Sequence, residues 1–223
     1  PEVLKIKDIE KPHPNSDEVL IRIFATTVEK EDPDMRRSRG LNGIFKPKKQ
    51  ILGMFLAGIV VEVGQNVSKF KQEDRVYGSV GLKLGTTAEY ITIPETSAIV
   101  KIPQEVSFTG AVSILNGFLT ALPYLKEKGI ISQNQTVLIN GASGSVGSAA
   151  VQIAKYYGTE VTGVCSTNKI EFVKSLGTDH IIDYTREDFT QTDEHFDIIF
   201  DTVGKSSFSK CKSIITTEGT FLT

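Results

Sequence analysis

TVLINGASGSVGSAAVQIAK (136–155) decides the fold. Thr136 to Asn140 is a short apolar run of the kind buried inside a parallel sheet. It runs straight into a glycine-rich turn, Gly141 to Gly147. After the turn Val146, Ala149, Ala150, Ile153, Ala154 and Tyr157 recur at i, i+3, i+4, i+7, i+8 and i+11, which predicts a helix with one apolar face. Gly158 ends it. A strand that turns into a helix in this way aims backbone N–H groups and the positive helix end at one spot, which suits a pyrophosphate. Gly144 lets the backbone approach phosphates, and Gly147 lets the helix lie close to the strand. The strict Gly-x-Gly-x-x-Gly form is broken, because Ala142 stands at its first glycine. A P-loop is excluded, since Ser148 and Ala149 follow Gly147 instead of Lys-Ser/Thr. A nucleophile elbow is excluded too, because Ser145 stands where the second glycine after Ser143 is needed.

Working outward, the pattern downstream alternates strand and helix. Glu160 to Cys165 predicts a second strand, and residues 168–176 a helix stopped by Gly177. His180 to Tyr184 and Phe196 to Asp201 predict a third and fourth strand. Ser206 to Ile215 predicts a helix, and Gly219 to Leu222 opens a fifth strand. This alternation implies an α/β, doubly wound parallel sheet. Six strands are usual in such a fold, so the C-terminal part is expected to be missing. The chain also opens on Pro1, and both ends read as cut. Upstream, the style differs. Leu4 and Ile6 alternate with Lys5 and Lys7, and Val19 to Phe24, Ile59 to Val63 and Tyr90 to Ile93 follow between turn residues. That half predicts an antiparallel, barrel-like β domain. The expected domains are 1–98 and 99–223. The long charged loop from Glu29 to Gln50 is ordinarily a solvated one, although such a loop can border an active site.

Composition narrows the function classes. The 223 residues carry 25 basic and 27 acidic side chains, a net charge of −2, which argues against a nucleic-acid or membrane-surface binder. The longest nearly uninterrupted apolar run, Ile51 to Val61, is far short of the ~20 residues that span a bilayer. No signal segment is visible, and a cytoplasmic location is expected. Cys165 and Cys211 are too few for a structural zinc site and read as buried reduced thiols. His13, His180 and His195 are scattered, and no metal site is expected.

The end of the second strand bears on cofactor choice. An NAD-binding chain usually carries Asp or Glu there, yet residues 164–169 are Val-Cys-Ser-Thr-Asn-Lys. Ser166 and Lys169 suit a 2′-phosphate, and Tyr184 at the end of the third strand can reach the same place. NADPH is therefore expected over NADH. The bland alternative is a helix cap at Thr167 or Asn168 followed by an exposed lysine.

With these residues in hand, the chain resembles the zinc-free quinone oxidoreductase branch of the medium-chain dehydrogenase/reductase superfamily. The resemblance rests on residues 60–78, on TTAEYITIPE (86–95), on residues 136–155 and on FVKSLGTDHIIDY (172–184). It implies a GroES-like β domain and a Rossmann domain, with the nicotinamide in the cleft between them. By position it implies Ser143, Gly144, Ser145 and Val146 at the pyrophosphate, and Ser166, Lys169 and Tyr184 at the 2′-phosphate. Thr120 matches the threonine beside the nicotinamide, and Asp201 to Gly204 a loop near the cofactor. It further implies NADPH-dependent reduction of a quinone or an α,β-unsaturated carbonyl, in a homodimer or tetramer. A non-catalytic NADPH-binding protein and an alcohol dehydrogenase are the alternatives. Three departures stand out. Gly53-Met54-Phe55 replaces the Gly-His-Glu of zinc-dependent relatives. Glu29 stands where many zinc-free members have Asn, with Asp32 retained. Glu73 replaces the usual glycine before Asp74-Arg75-Val76. No residue is singled out as a proton donor.

Overall fold

The computed structural model describes residues 4–30, 32–34 and 50–223. The chain divides into two compact units, Pro1–Leu115 and Asn116–Thr223.

The first unit is a half-barrel of five strands: β1 (Glu18–Thr26), β2 (Phe55–Val63), β3 (Arg75–Ser79), β4 (Tyr90–Pro94) and β5 (Ala98–Lys101). They are antiparallel in the order β4-β1-β2-β3-β5, with Ile21 opposite both Val60 and Ile91. Alternation along β2 sends neighbours to opposite faces. Leu56 and Val60 join Val19, Ile21, Val76 and Ile93 in one core. Phe55 and Ala57 face the other way, onto Ala111 and Val112 of the short helix α1 (Phe108–Ser113). Residues 99–115, read from sequence into the second domain, thus pack with the β sheet. Arg75 fastens this side. Its guanidinium lies 4.7 Å from the Phe108 ring centroid and donates to the carbonyls of Gln104 at 3.0 Å and Val106 at 2.6 Å. Just before it, Glu73 holds φ +71°, a left-handed conformation that glycine adopts without strain.

Two expectations for this half change. Leu4–Lys7 forms no strand: no described strand pairs with it, and Ile6 is fully exposed. Most of the charged loop between Glu29 and Gln50, with Arg36, Arg37, Arg39, Lys46, Lys48 and Lys49, lies outside the described residues.

The second unit opens with helix α2 (Leu115–Pro123), which begins at the last residue of the first unit and passes into a π-type turn, Tyr124–Lys128. By length and composition alone, 108–128 is apolar enough to cross a bilayer, with mean hydropathy 1.3. The sequence reading does not single it out. The core helices of soluble proteins pass the same test, and here Ala111, Val112 and Leu115 sit in one core and Ala121 and Leu125 in another.

Then follow β6 (Thr136–Asn140), α3 (Ser145–Tyr156), β7 (Glu160–Cys165), α4 (Ile170–Ser175), β8 (His180–Asp183), β9 (Phe196–Asp201), α5 (Phe208–Cys211) and β10 (Ile215–Leu222). The sheet is parallel in the order β10-β9-β6-β7-β8. Chain order runs outward from β6 in one direction, then restarts on its other side with β9, so the switch point lies between β6 and β9. Ligands of such sheets bind outside the carboxyl ends of the strands at that point. Ala149, Ala150, Ile153 and Ala154 of α3 bury against Val137, Ile139 and Val161, as the periodicity predicts. The expected helix at 206–215 shrinks to α5, because Ile215 pairs with Phe196 as the start of β10. The expected helix at 168–176 splits into a 3-10 turn, Thr167–Lys169, and α4.

Candidate functional site

Four loops leave the carboxyl ends of neighbouring strands in the second unit. They start after Asn140, Cys165, Asp183 and Asp201; the parallel register sets Asn140 opposite Asp201 and Val164, and Cys165, one residue on, opposite Asp183.

The first loop is the glycine turn. Gly141 takes φ +84°, and the N–H groups of Gly141 and Ala142 both donate to Val164 O, tying the turn to β7. Ala142, in the place of the missing glycine, is wholly buried in the core and costs the turn nothing visible. Gly144 is the N-cap of α3 and has no side chain with which to cap that end. A Cβ built on Gly144 would meet only Gly141 O, at 3.4 Å, whereas one on Gly147 would stand 2.1 Å from that same carbonyl. One glycine leaves open space and the other seats the helix. Uncapped N–H groups beside a bare backbone fit a pyrophosphate oxygen. Ser143 and Val146 are half-buried here, and Gly144 and Ser145 are exposed.

The second and third loops carry Ser166, Lys169 and Tyr184. Ser166 caps the 3-10 turn without a side-chain cap bond, and its hydroxyl donates to Asn168 Oδ1 at 2.7 Å. Lys169 is exposed, with its N–H on Ser166 O at 2.8 Å. Tyr184 is exposed, and its N–H donates to Cys165 O at 3.1 Å, which brings the β8 end beside the β7 end. Neither Thr167 nor Asn168 is a helix cap. The Thr167 hydroxyl donates to Asp183, a buried carboxylate that sequence reading missed. Its sequence signal is slight: an acid at a strand end, one residue before Tyr184. The Thr167 bond foremost, with those from Thr185, holds the Asp183 carboxyl below the ordinary carboxylate range. Burial first, and Asp183 second, push the Cys165 thiol up, so it is an inert core group.

The fourth loop follows Asp201, also buried. Asp201 Oδ1 accepts from Asn140 Nδ2 at 2.9 Å and from the N–H groups of Val203 and Gly204, and Oδ2 accepts from Ser206 N at 2.7 Å. Thr120 lies half-buried on α2, whose Gly117 would place a Cβ 2.4 Å from Ser145 O, so this helix runs against the start of α3. In the first unit, Asp32 is buried, with Oδ2 accepting from Glu29 N at 2.8 Å and Oδ1 without a hydrogen-bond partner among the described residues.

Among the described residues, no group of three or more His, Cys, Asp or Glu side chains could hold a metal ion.

Comparison with known proteins agrees with this architecture. Residues 15–104 match the alcohol dehydrogenase GroES-like domain, and residues 145–223 match the family described as zinc-binding dehydrogenase. The chain is 34% identical over 214 residues to 2-methylene-furan-3-one reductase of Solanum lycopersicum, covering 92% of this chain and 54% of that protein. It is 32% identical over 217 residues to the chloroplastic NADPH-dependent alkenal/one oxidoreductase of Arabidopsis thaliana, covering 91% and 54%. A solved quinone oxidoreductase from Pseudomonas syringae pv. Tomato DC3000 superposes with a TM-score of 0.83 at 31% identity, covering 99% of this chain and 68% of that one. The chain belongs to the medium-chain dehydrogenase/reductase superfamily, in its quinone oxidoreductase branch. It spans about half the length of the curated relatives it matches.

Proposed function

We propose that the protein is an NADPH-dependent oxidoreductase that delivers hydride to a quinone or an α,β-unsaturated carbonyl without zinc. The observation that carries this reading is the pair of adjoining loops: an uncapped glycine turn suited to a pyrophosphate, beside a strand end with a lysine and hydroxyls where an NAD-binding chain carries an acid. The relatives named for NADPH-dependent alkenal/one reduction and for quinone reduction support it.

When bound, the reduced nicotinamide supplies the hydride, and the acceptor takes up one proton in addition. The work of this chain is orientation and charge. The N–H groups at the start of α3, with Ser143, Gly144, Ser145 and Val146, hold the pyrophosphate. Lys169 and the Ser166 and Tyr184 hydroxyls hold the 2′-phosphate, and Thr120 flanks the nicotinamide. Fixing the cofactor's reactive face toward the acceptor converts an encounter into a near-attack arrangement. With no metal to polarise a carbonyl, an acceptor that is already electron-poor suits this site better than a simple ketone.

The test follows nicotinamide absorbance after a quinone, an enone and a simple ketone are added in turn to protein and NADPH. Oxidation driven by the quinone or the enone is expected. Tight NADPH binding without oxidation by either would overturn the reading in favour of a non-catalytic nucleotide-binding protein. Alcohol-driven reduction of NADP would overturn it in favour of an alcohol dehydrogenase.

A further inference from the structure

The side chains assigned to the 2′-phosphate sit on weak local structure. Thr167–Lys169 is a single 3-10 turn whose N-cap, Ser166, makes no side-chain bond to the turn's backbone N–H groups. Tyr184 begins the segment after β8 and is 59% exposed. Ordering such loops on binding costs affinity unless something orders them beforehand. One buried group does so. Asp183 ends β8 directly opposite Cys165, the end of β7, and is 6% exposed. Its Oδ2 accepts from the Thr167 hydroxyl on the first loop. Its Oδ1 accepts from the Thr185 hydroxyl at 2.7 Å and the Thr185 N–H at 3.0 Å on the second. The two hydroxyls are 2.9 Å apart, and each spends its single proton on the carboxylate, so Asp183 is what joins them. Arg186 is tethered at the same point, its Nε 3.5 Å from Oδ2, and the Arg186 N–H bonds the Asp183 carbonyl at 2.9 Å.

We infer that Asp183 is the positioning residue of the 2′-phosphate subsite: its carboxylate pins the loop bearing Ser166 and Lys169 to the loop bearing Tyr184 and Arg186. This rests on the NADPH reading above. Both carboxylate oxygens are engaged by hydroxyls and an amide, so the acid acts through Thr167 and Thr185 and not on the ligand. Asparagine can still join both loops. Its carbonyl accepts from Thr185 and its amide donates to Thr167, whose hydroxyl then donates to Thr185. Alanine removes the carboxylate tie and leaves the backbone bond from Tyr184 N–H to Cys165 O between them.

The probes are 2′,5′-ADP and 5′-AMP, which differ by the 2′-phosphate alone, titrated calorimetrically against the wild-type chain and its variants. The wild type is expected to prefer 2′,5′-ADP by about tenfold or more. Asp183→Ala lowers that ratio about fivefold while 5′-AMP binding stays within about twofold, and Asp183→Asn keeps most of it. A merely structural role would weaken both probes together and leave the ratio alone. If Lys169→Ala removes the preference and Asp183→Ala keeps it, the NADPH reading stands and the positioning role is overturned. If Asp183→Asn fails as fully as alanine, positioning through the hydrogen bonds to Thr167 and Thr185 is overturned. A wild type with no preference overturns the NADPH reading and this inference with it. Should Asp183→Ala not fold, Thr167→Val decides: a ratio lowered about threefold supports the role, and an unchanged ratio overturns it.

Discussion

Asn140 and Asp201 end the neighbouring strands β6 and β9 and are joined by a buried hydrogen bond, Asn140 Nδ2 donating to Asp201 Oδ1 at 2.9 Å. The pair sits at the switch point of the parallel sheet and controls both loops that leave it. Thr202 returns two bonds to the Asn140 carbonyl, from its N–H at 3.1 Å and its hydroxyl at 2.7 Å. Val203 packs so closely on the glycine turn that a Cβ on Gly141 would lie 2.5 Å from it.

Asp201 collects one side-chain and three backbone N–H donors. Asp201→Ala leaves these donors unsatisfied in a buried place and is expected to destabilise the chain by about 3 kcal/mol or more. Asp201→Asn turns an amide N–H₂ toward donors and is expected to cost more than Asn140→Ala, which removes a single bond. Urea unfolding checks the order. An Asp201→Asn variant as stable as wild type contradicts the network.

Gly144 and Gly147 separate binding from packing. Gly147→Ala drives a methyl to 2.1 Å from the Gly141 carbonyl and is expected to cost about 3 kcal/mol or more of stability. Gly144→Ala has φ −78° and only a 3.4 Å neighbour, so its stability should stay within about 0.5 kcal/mol of wild type. On the proposed assignment its added methyl would meet the pyrophosphate, and nucleotide affinity is expected to fall about tenfold or more. Unfolding curves and nucleotide titrations of both variants check the split. Normal nucleotide binding by Gly144→Ala would remove the pyrophosphate from this turn.

Acid sensitivity has a defined sign. Hydrogen bonds from the Thr167 hydroxyl at Asp183 and from the Thr190 N–H at Asp188 hold both carboxyls below their ordinary value of 3.8. At Asp179, burial pushes upward but is outweighed by the Lys155 ammonium and the Val161 N–H. Groups whose folded values are depressed contribute stability that is present above the unfolded value and lost as pH falls through the folded ones. Stability is therefore expected to decline below about pH 4, and combining Asp183→Asn with Asp188→Asn should flatten that decline. Urea midpoints across the acid range check it, and an unchanged slope in the double variant contradicts it.

The β6–turn–α3 unit was legible in the sequence because its signals are local: an apolar run, glycines at fixed spacing and a helical period. The pairings that complete the site were not. Asn140 and Asp201 are 61 residues apart and meet only through the parallel register. Thr167 reads as a helix cap, because a hydroxyl before a helix usually caps it; here its partner is Asp183, on the next strand. Leu4 and Ile6 alternate as a strand does, yet alternation makes no strand where none of the described residues pairs with it. Glu73 reads as a lost glycine, and its φ of +71° is the left-handed conformation that a glycine adopts without strain.

The most direct test of the cofactor assignment is a titration of the protein with NADPH and with NADH, followed by nicotinamide fluorescence, in wild type and Lys169→Ala. A charge-assisted contact to the 2′-phosphate is worth ~1.5–3 kcal/mol, which predicts an NADPH preference of about tenfold or more that the variant loses. Equal binding of the two nucleotides by the wild type would contradict the assignment of Ser166, Lys169 and Tyr184.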